Sequence, residues 1–180
     1  MIQQVKTQFT PAARALARQL LGDNFSAPLL AAAFGAPVNA QVTFTVDAYG
    51  RLKGTMQHAL LVAQERVLFR TADGALVIRN QYLEKQPFAP KDTGIRLFQV
   101  QVAAAQTLGV ARITTIGAGG PAPSEKAGYY LMARYGFDAQ LEDRELVVLR
   151  KLLPGVTTLN QLLEAGGKDW WRQYGFEKEM

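Results

Sequence analysis

Apolar residues in roughly the first thirty-five positions fall at helical spacing, and from Ala40 onwards they alternate with polar ones. Thr10 and Pro11 open the first helical stretch: a hydroxyl at the cap, then a proline whose missing N–H is harmless in a first turn. Leu16, Leu20 and Leu21 line one side of it, and Gly22 supplies the stop. A second, alanine-rich helix is predicted from near Ser26 to Gly35. Val42, Phe44 and Val46, separated by Thr43 and Thr45, then predict a strand with one face in the core.

The stretch from Asp47 to Gly50 reads as a turn, and a second strand is predicted over residues 52–62. Residues 66–71 give a third, and Asp73-Gly74, which tolerates positive φ, turns the chain into a fourth over 75–82. The period becomes helical again over 94–108. Leu97, Val100, Ala104 and Leu108 recur on one face, widened by Phe98, Val102 and Ala105, while Arg96, Gln99, Ala103 and Gln106 mark the solvent side. A buried strand is predicted over 110–116, followed by Gly117, Ala118, Gly119 and Gly120, then a helix over 124–135 that Gly136 ends. The unbroken run Leu146, Val147, Val148, Leu149 predicts a further strand over 145–150. Thr157 or Thr158 caps a short helix over 159–165, and the aromatic tail with Trp170, Trp171, Tyr174 and Phe176 reads as a helical lid on the core.

Composition narrows the class. With 180 residues, 48% of them hydrophobic, the chain is expected to form one domain over 1–180. It comprises a helical part at 10–35, a core at 40–150 and the aromatic tail at 157–176. No apolar run reaches the roughly 20 residues of a membrane span, and the first residues lack a basic segment leading into an apolar one. The expectation is a cytoplasmic protein without a signal peptide or membrane partner. The absence of cysteine excludes disulfides, thiol catalysis and cysteine zinc sites. The net charge of +5 is scattered in ones and twos, which argues against a nucleic-acid stripe. His58, the single histidine, falls in the predicted second strand and cannot be half of a metal pair.

Two helices, a meander of antiparallel strands and then helix–strand–helix resemble the GNAT acetyltransferase superfamily. The likeness is carried by GIRLFQVQVAAAQTLGV from Gly94 and by GYYLMARYGFD from Gly128, and spans about residues 75–176. It implies an α/β fold with a mixed, mainly antiparallel sheet and helices on both faces. It also implies acetyl-CoA as cofactor, with the pyrophosphate on backbone N–H groups at Thr93, Gly94, Ile95 and Arg96, where a helix begins. The superfamily's glycine motif is altered here. In one register Lys91 replaces its Arg/Gln and Arg96 its last small residue; in the favoured register Gly94 is the last glycine, Asp92 replaces the first and Ala89 the Arg/Gln. A carboxylate at Asp92 would oppose a pyrophosphate, and Asp92 or Thr93 reads equally as a plain helix cap.

Acyl transfer needs a group to take the amine proton and another to protonate the thiolate. The resemblance puts the first at Glu84, at the end of the fourth strand. The tyrosine that many relatives use as acid corresponds to Met132, which donates no proton. Tyr129, one turn away, and Tyr130 are the substitutes, unless they simply pack the helix on the sheet. Two functions follow: a CoA-dependent N-acyltransferase acting on a small-molecule or protein amine, or an inactive GNAT-fold module that binds protein assembly partners, for example within a virus particle.

Overall fold

A computed structural model of the chain describes residues 5–118 and 128–180; for Gly128 and Tyr129 it describes the backbone. The chain is α/β and its contacts divide into two compact units, Met1–Ile113 and Thr114–Met180. Within each unit the strands lie in chain order, each beside the next.

The first unit contains β1 (Lys6–Phe9), α1 (Pro11–Leu21), α2 (Ala27–Ala33), β2 (Gln41–Val46), β3 (Leu52–Gln57), β4 (Leu61–Arg70), β5 (Leu76–Lys85) and α3 (Thr93–Thr107). The sheet is mixed: β1 runs parallel to β2, and β2 through β5 are antiparallel. After α3 the chain returns beside β5, where the Ala111 N–H donates to the Leu76 carbonyl at 2.8 Å, and enters β6 (Arg112–Gly117).

Alternation decides which face is buried. Val42 and Phe44 of β2, Leu52 and Met56 of β3, Leu68 of β4 and Ile78 of β5 form one core cluster with residues of α1, α2 and α3. Phe44 anchors it, stacked on Phe9 at 4.5 Å between ring centres and edge-on to Phe34 at 5.2 Å. Each such ring buried contributes about 1.5–3 kcal/mol. Gly54, opposite Phe44 in the β3 register, leaves the space Phe34 fills; a Cβ there would collide with the Phe34 ring. As predicted, Thr10 caps α1, its Oγ1 accepting the Ala13 N–H at 3.2 Å, and Gly22 ends it at φ 55°.

The predicted strand over 52–62 is two strands. His58 is not in a strand: its Nδ1 accepts the Leu60 N–H at 3.2 Å, and the Leu61 N–H closes on the His58 carbonyl at 3.0 Å, so the chain reverses there. On α3 the expected face is buried at Leu97, Ala104 and Leu108, and Gln101 lies fully buried among them.

The second unit holds the rest of β6, α4 (Gly128–Arg134), α5 (Asp143–Leu152), α6 (Leu159–Glu164), α7 (Lys168–Tyr174) and β7 (Lys178–Glu179), which pairs antiparallel with β6. Gly136 follows α4 at φ 90°, as its position predicts. The expected strand over 145–150 is instead the helix α5. A reciprocal capping box between Glu142 and Glu145 starts it, acids occupy its first turn, and Arg150 and Lys151 its last. Those end charges match a helix dipole and outweigh the β preference of two valines. Thr158 caps α6 in a second box with Gln161. In the tail, Trp171 is fully buried while Tyr174 is 55% exposed, so the aromatic helix only partly covers a core.

Candidate functional site

In the first unit the candidate residues gather at the end of β5 and the start of α3. Two register shifts mark the β4–β5 pair: Leu61 and Ala63 face Lys85 and Glu84, skipping Val62, and Glu65 and Arg66 face Tyr82 and Asn80, skipping Gln81. Such bulges leave a residue out of the ladder and re-aim its neighbours. Beside them lies a groove of about 490 Å³, lined by residues including Gln64, Glu65, Gln81 and Tyr82. Gln64 donates to the Phe34 carbonyl at 2.6 Å, and its buried Oε1 has no partner.

Glu84 is exposed, and two residues away on the same strand face the Tyr82 hydroxyl donates to its carboxylate. That hydrogen bond holds the Tyr82 phenol above its ordinary pKa. The family resemblance singled out Glu84 and not Tyr82, although an i, i+2 pair on a strand is the signal that would have found it.

The helix start expected to cradle a pyrophosphate is largely closed. Thr93 and Gly94 are buried, Ile95 is half-buried and only Arg96 reaches solvent. Asp92 makes no side-chain cap; its carboxylate pairs with Arg96 at 2.6 Å, one turn on. Thr93 N–H donates to Pro90 at 3.0 Å and Arg96 N–H to Asp92 at 3.1 Å, and among the described residues no acceptor meets the N–H of Gly94 or Ile95. Lys85 Nζ donates to the carbonyl of Lys91 at 3.3 Å in the approach to the helix.

The sequence did not disclose a further set of polar side chains, Arg66 and Gln101 buried and Asn80 half-buried. Asn80 and Gln101 exchange amide hydrogen bonds at 2.8 and 3.1 Å. Arg66, 3% exposed, points at Gly35, where a Cβ would collide with its Nη1; its Nε and Nη1 have no hydrogen-bond partner. Burial alone lowers this guanidinium's pKa to about 9. The signal for Gln101 was its place in the row Leu97, Gln101, Ala104, Leu108, which is the inner helix face.

In the second unit Tyr130 is half-buried on α4, with the Arg134 and Arg172 guanidinium carbons 5.7 and 6.0 Å from its ring centre. The side chain of Tyr129 and the loop residues Gly119 and Gly120 lie outside the described residues. A second groove, of about 620 Å³, is lined by Arg144, Glu145, Val148 and Leu152 of α5, Trp170 and Tyr174 of α7, and Phe176. Among the described residues no cluster of three or more His, Asp or Glu suits a metal ion, and no helix is long and apolar enough to cross a membrane.

Compared with family models, curated proteins and solved structures, the chain matches none.

Proposed function

We propose that the chain is a protein-interaction module built on a GNAT-like element order, and that it engages its partner through α5 and the adjoining aromatic groove. The carrying observation is α5 itself. Val147, Val148 and Leu152 are 63%, 47% and 62% exposed on a helix that buries Glu145 and Leu149, with Val148 and Leu152 one turn apart on the groove side. Three large apolar side chains in water on one ten-residue helix, next to an aromatic groove, mark a surface that awaits cover. The burial of Thr93 and Gly94, and the Asp92–Arg96 pair beside them, support this reading over cofactor binding. The partner would be an assembly subunit, as in a virus particle or another multi-protein complex.

A photo-crosslinking side chain placed at Val147 tests it, with Tyr49, 82% exposed, as the control position. The module reading predicts one discrete adduct from Val147 in cells and none from Tyr49. Equal labelling at both positions would end it.

One observation favours the second reading, a CoA-dependent N-acyltransferase: the Tyr82–Glu84 pair beside the bulged groove. There the amine nitrogen attacks the acetyl carbonyl and the C–S bond breaks. Glu84 takes the amine proton, and the Tyr82 hydroxyl returns one to the thiolate. In this reading Tyr82 serves as the acid in place of Tyr129 or Tyr130. Tyr82→Phe would then lower turnover by roughly 10²–10⁴-fold, and a wild type without turnover on a broad amine panel dismisses the reading.

A further inference from the structure

We infer that the partner seated on α5 is a second copy of this chain, its own α5 running antiparallel across a two-fold axis at Val147. The inference rests on the module reading for the docking surface and names what docks there. Asp143, Val147 and Lys151 follow one another at one-turn intervals, so they form a single stripe along the helix. All three are exposed, Val147 at 63%. An acid and a base thus stand at equal distances on either side of an apolar centre. That order complements itself only when one copy is reversed. The two-fold axis then sets Val147 on Val147, and Asp143 of each copy against Lys151 of the other. A parallel pair would oppose Asp143 to Asp143 and Lys151 to Lys151.

The end charges are available for such a pair. Among the described residues, none forms an ion pair with Asp143, Arg150 or Lys151. Arg150, two turns beyond Asp143 and nearly in line with it, brings a second cation towards the incoming acid. Arg144, the remaining exposed base of α5, is answered within its own chain. Glu142 meets its Nε at 3.3 Å, and its guanidinium lies 3.3 Å from the centre of the Phe176 ring. Val148 and Leu152 stand beside the stripe, so a second helix laid along it shields them from water. Burial of these apolar side chains supplies the affinity, while the charges fix the direction and oppose wrong registers. One ten-residue helix from each copy is a contact at the small end of specific interfaces, so the dimer dissociates on dilution.

Sedimentation equilibrium of the full chain, from micromolar to millimolar concentration, tests this directly. The expected mass rises from one chain towards two. Asp143→Lys and Lys151→Asp each set like charges at both ends of the pair and should each weaken self-association roughly tenfold. Mixed in equal amounts, the two variants should recover most of the wild-type association, because both end contacts between them join opposite charges. A reversed end charge also works against the helix dipole, so a second variant leaves the charges alone. The chain has no cysteine, and Val147→Cys therefore carries a single thiol. Diamide, which takes up the two thiol hydrogens, should join two copies of Val147→Cys by a disulfide and leave Tyr49→Cys unlinked. A wild type that stays monomeric throughout, or equal disulfide capture at positions 147 and 49, overturns the inference. Self-association that neither charge variant weakens overturns the antiparallel arrangement. A monomeric chain whose Val147 photo-adduct is a different protein sinks this inference and leaves the module reading standing; no dimer and no discrete adduct ends both.

Discussion

Arg66 sits where the fold bears a cost. A guanidinium 3% exposed with two unpartnered nitrogens has lost its hydration and gained little in return. Arg66→Met, similar in volume and neutral, should therefore stabilise the chain by about 1–4 kcal/mol in urea unfolding; a loss of that size would show that the guanidinium has a stabilising partner. The pH dependence has a definite sign. The folded pKa is depressed to about 9, well below the ordinary guanidinium value, so between the two the unfolded chain holds more protons. Wild-type stability should rise relative to Arg66→Met as pH climbs above about 9, and the difference should be flat below 9. A difference that falls with pH contradicts the burial argument. Gly35 belongs to the same account. At φ 68° and pressed by Arg66 and the Leu97 carbonyl, it should lose roughly 1–2 kcal/mol or more on mutation to alanine, and a neutral Gly35→Ala would mean the guanidinium moves freely.

Among the elements, α1, β2 and the Asp73-Gly74 turn were legible because one local signal decides each. A hydroxyl–proline cap, strict alternation and a residue pair that accepts positive φ need no distant help. The segment 145–150 was not, because four successive apolar residues fit a buried strand and a helix equally. Its capping box at Glu142 and Glu145 was the deciding local signal. The groove floor at Glu145 was hidden with it. Glu84 was readable as a strand-end acid, but the burial of Thr93 and Gly94 was not, since burial at a helix start depends on tertiary packing that no local signal fixes. Alanine scanning of α5 checks the helix. Leu149→Ala, from a 1% exposed site, should cost about 2–5 kcal/mol, while Val147→Ala, at 63% exposure, stays within about 0.5. In a strand, residues 147 and 149 share a face and would cost alike.

At the scale of the whole molecule, strands laid down in chain order and two compact units give a scaffold made largely of sequential neighbours. Fold alone assigns no chemistry to such a scaffold. The assignment rests on which surfaces are closed and which are open: Thr93 and Gly94 at the start of α3 are buried, and α5 displays apolar side chains beside an aromatic groove. The most direct test of that contrast is a calorimetric titration of the full chain with acetyl-CoA, run alongside thermal unfolding in the same buffer. The account predicts no saturable heat into the millimolar range and an unchanged Tm. Saturable binding, with stabilisation approaching 2.7 kcal/mol at about 100 times the dissociation constant, would contradict it and restore the acyltransferase.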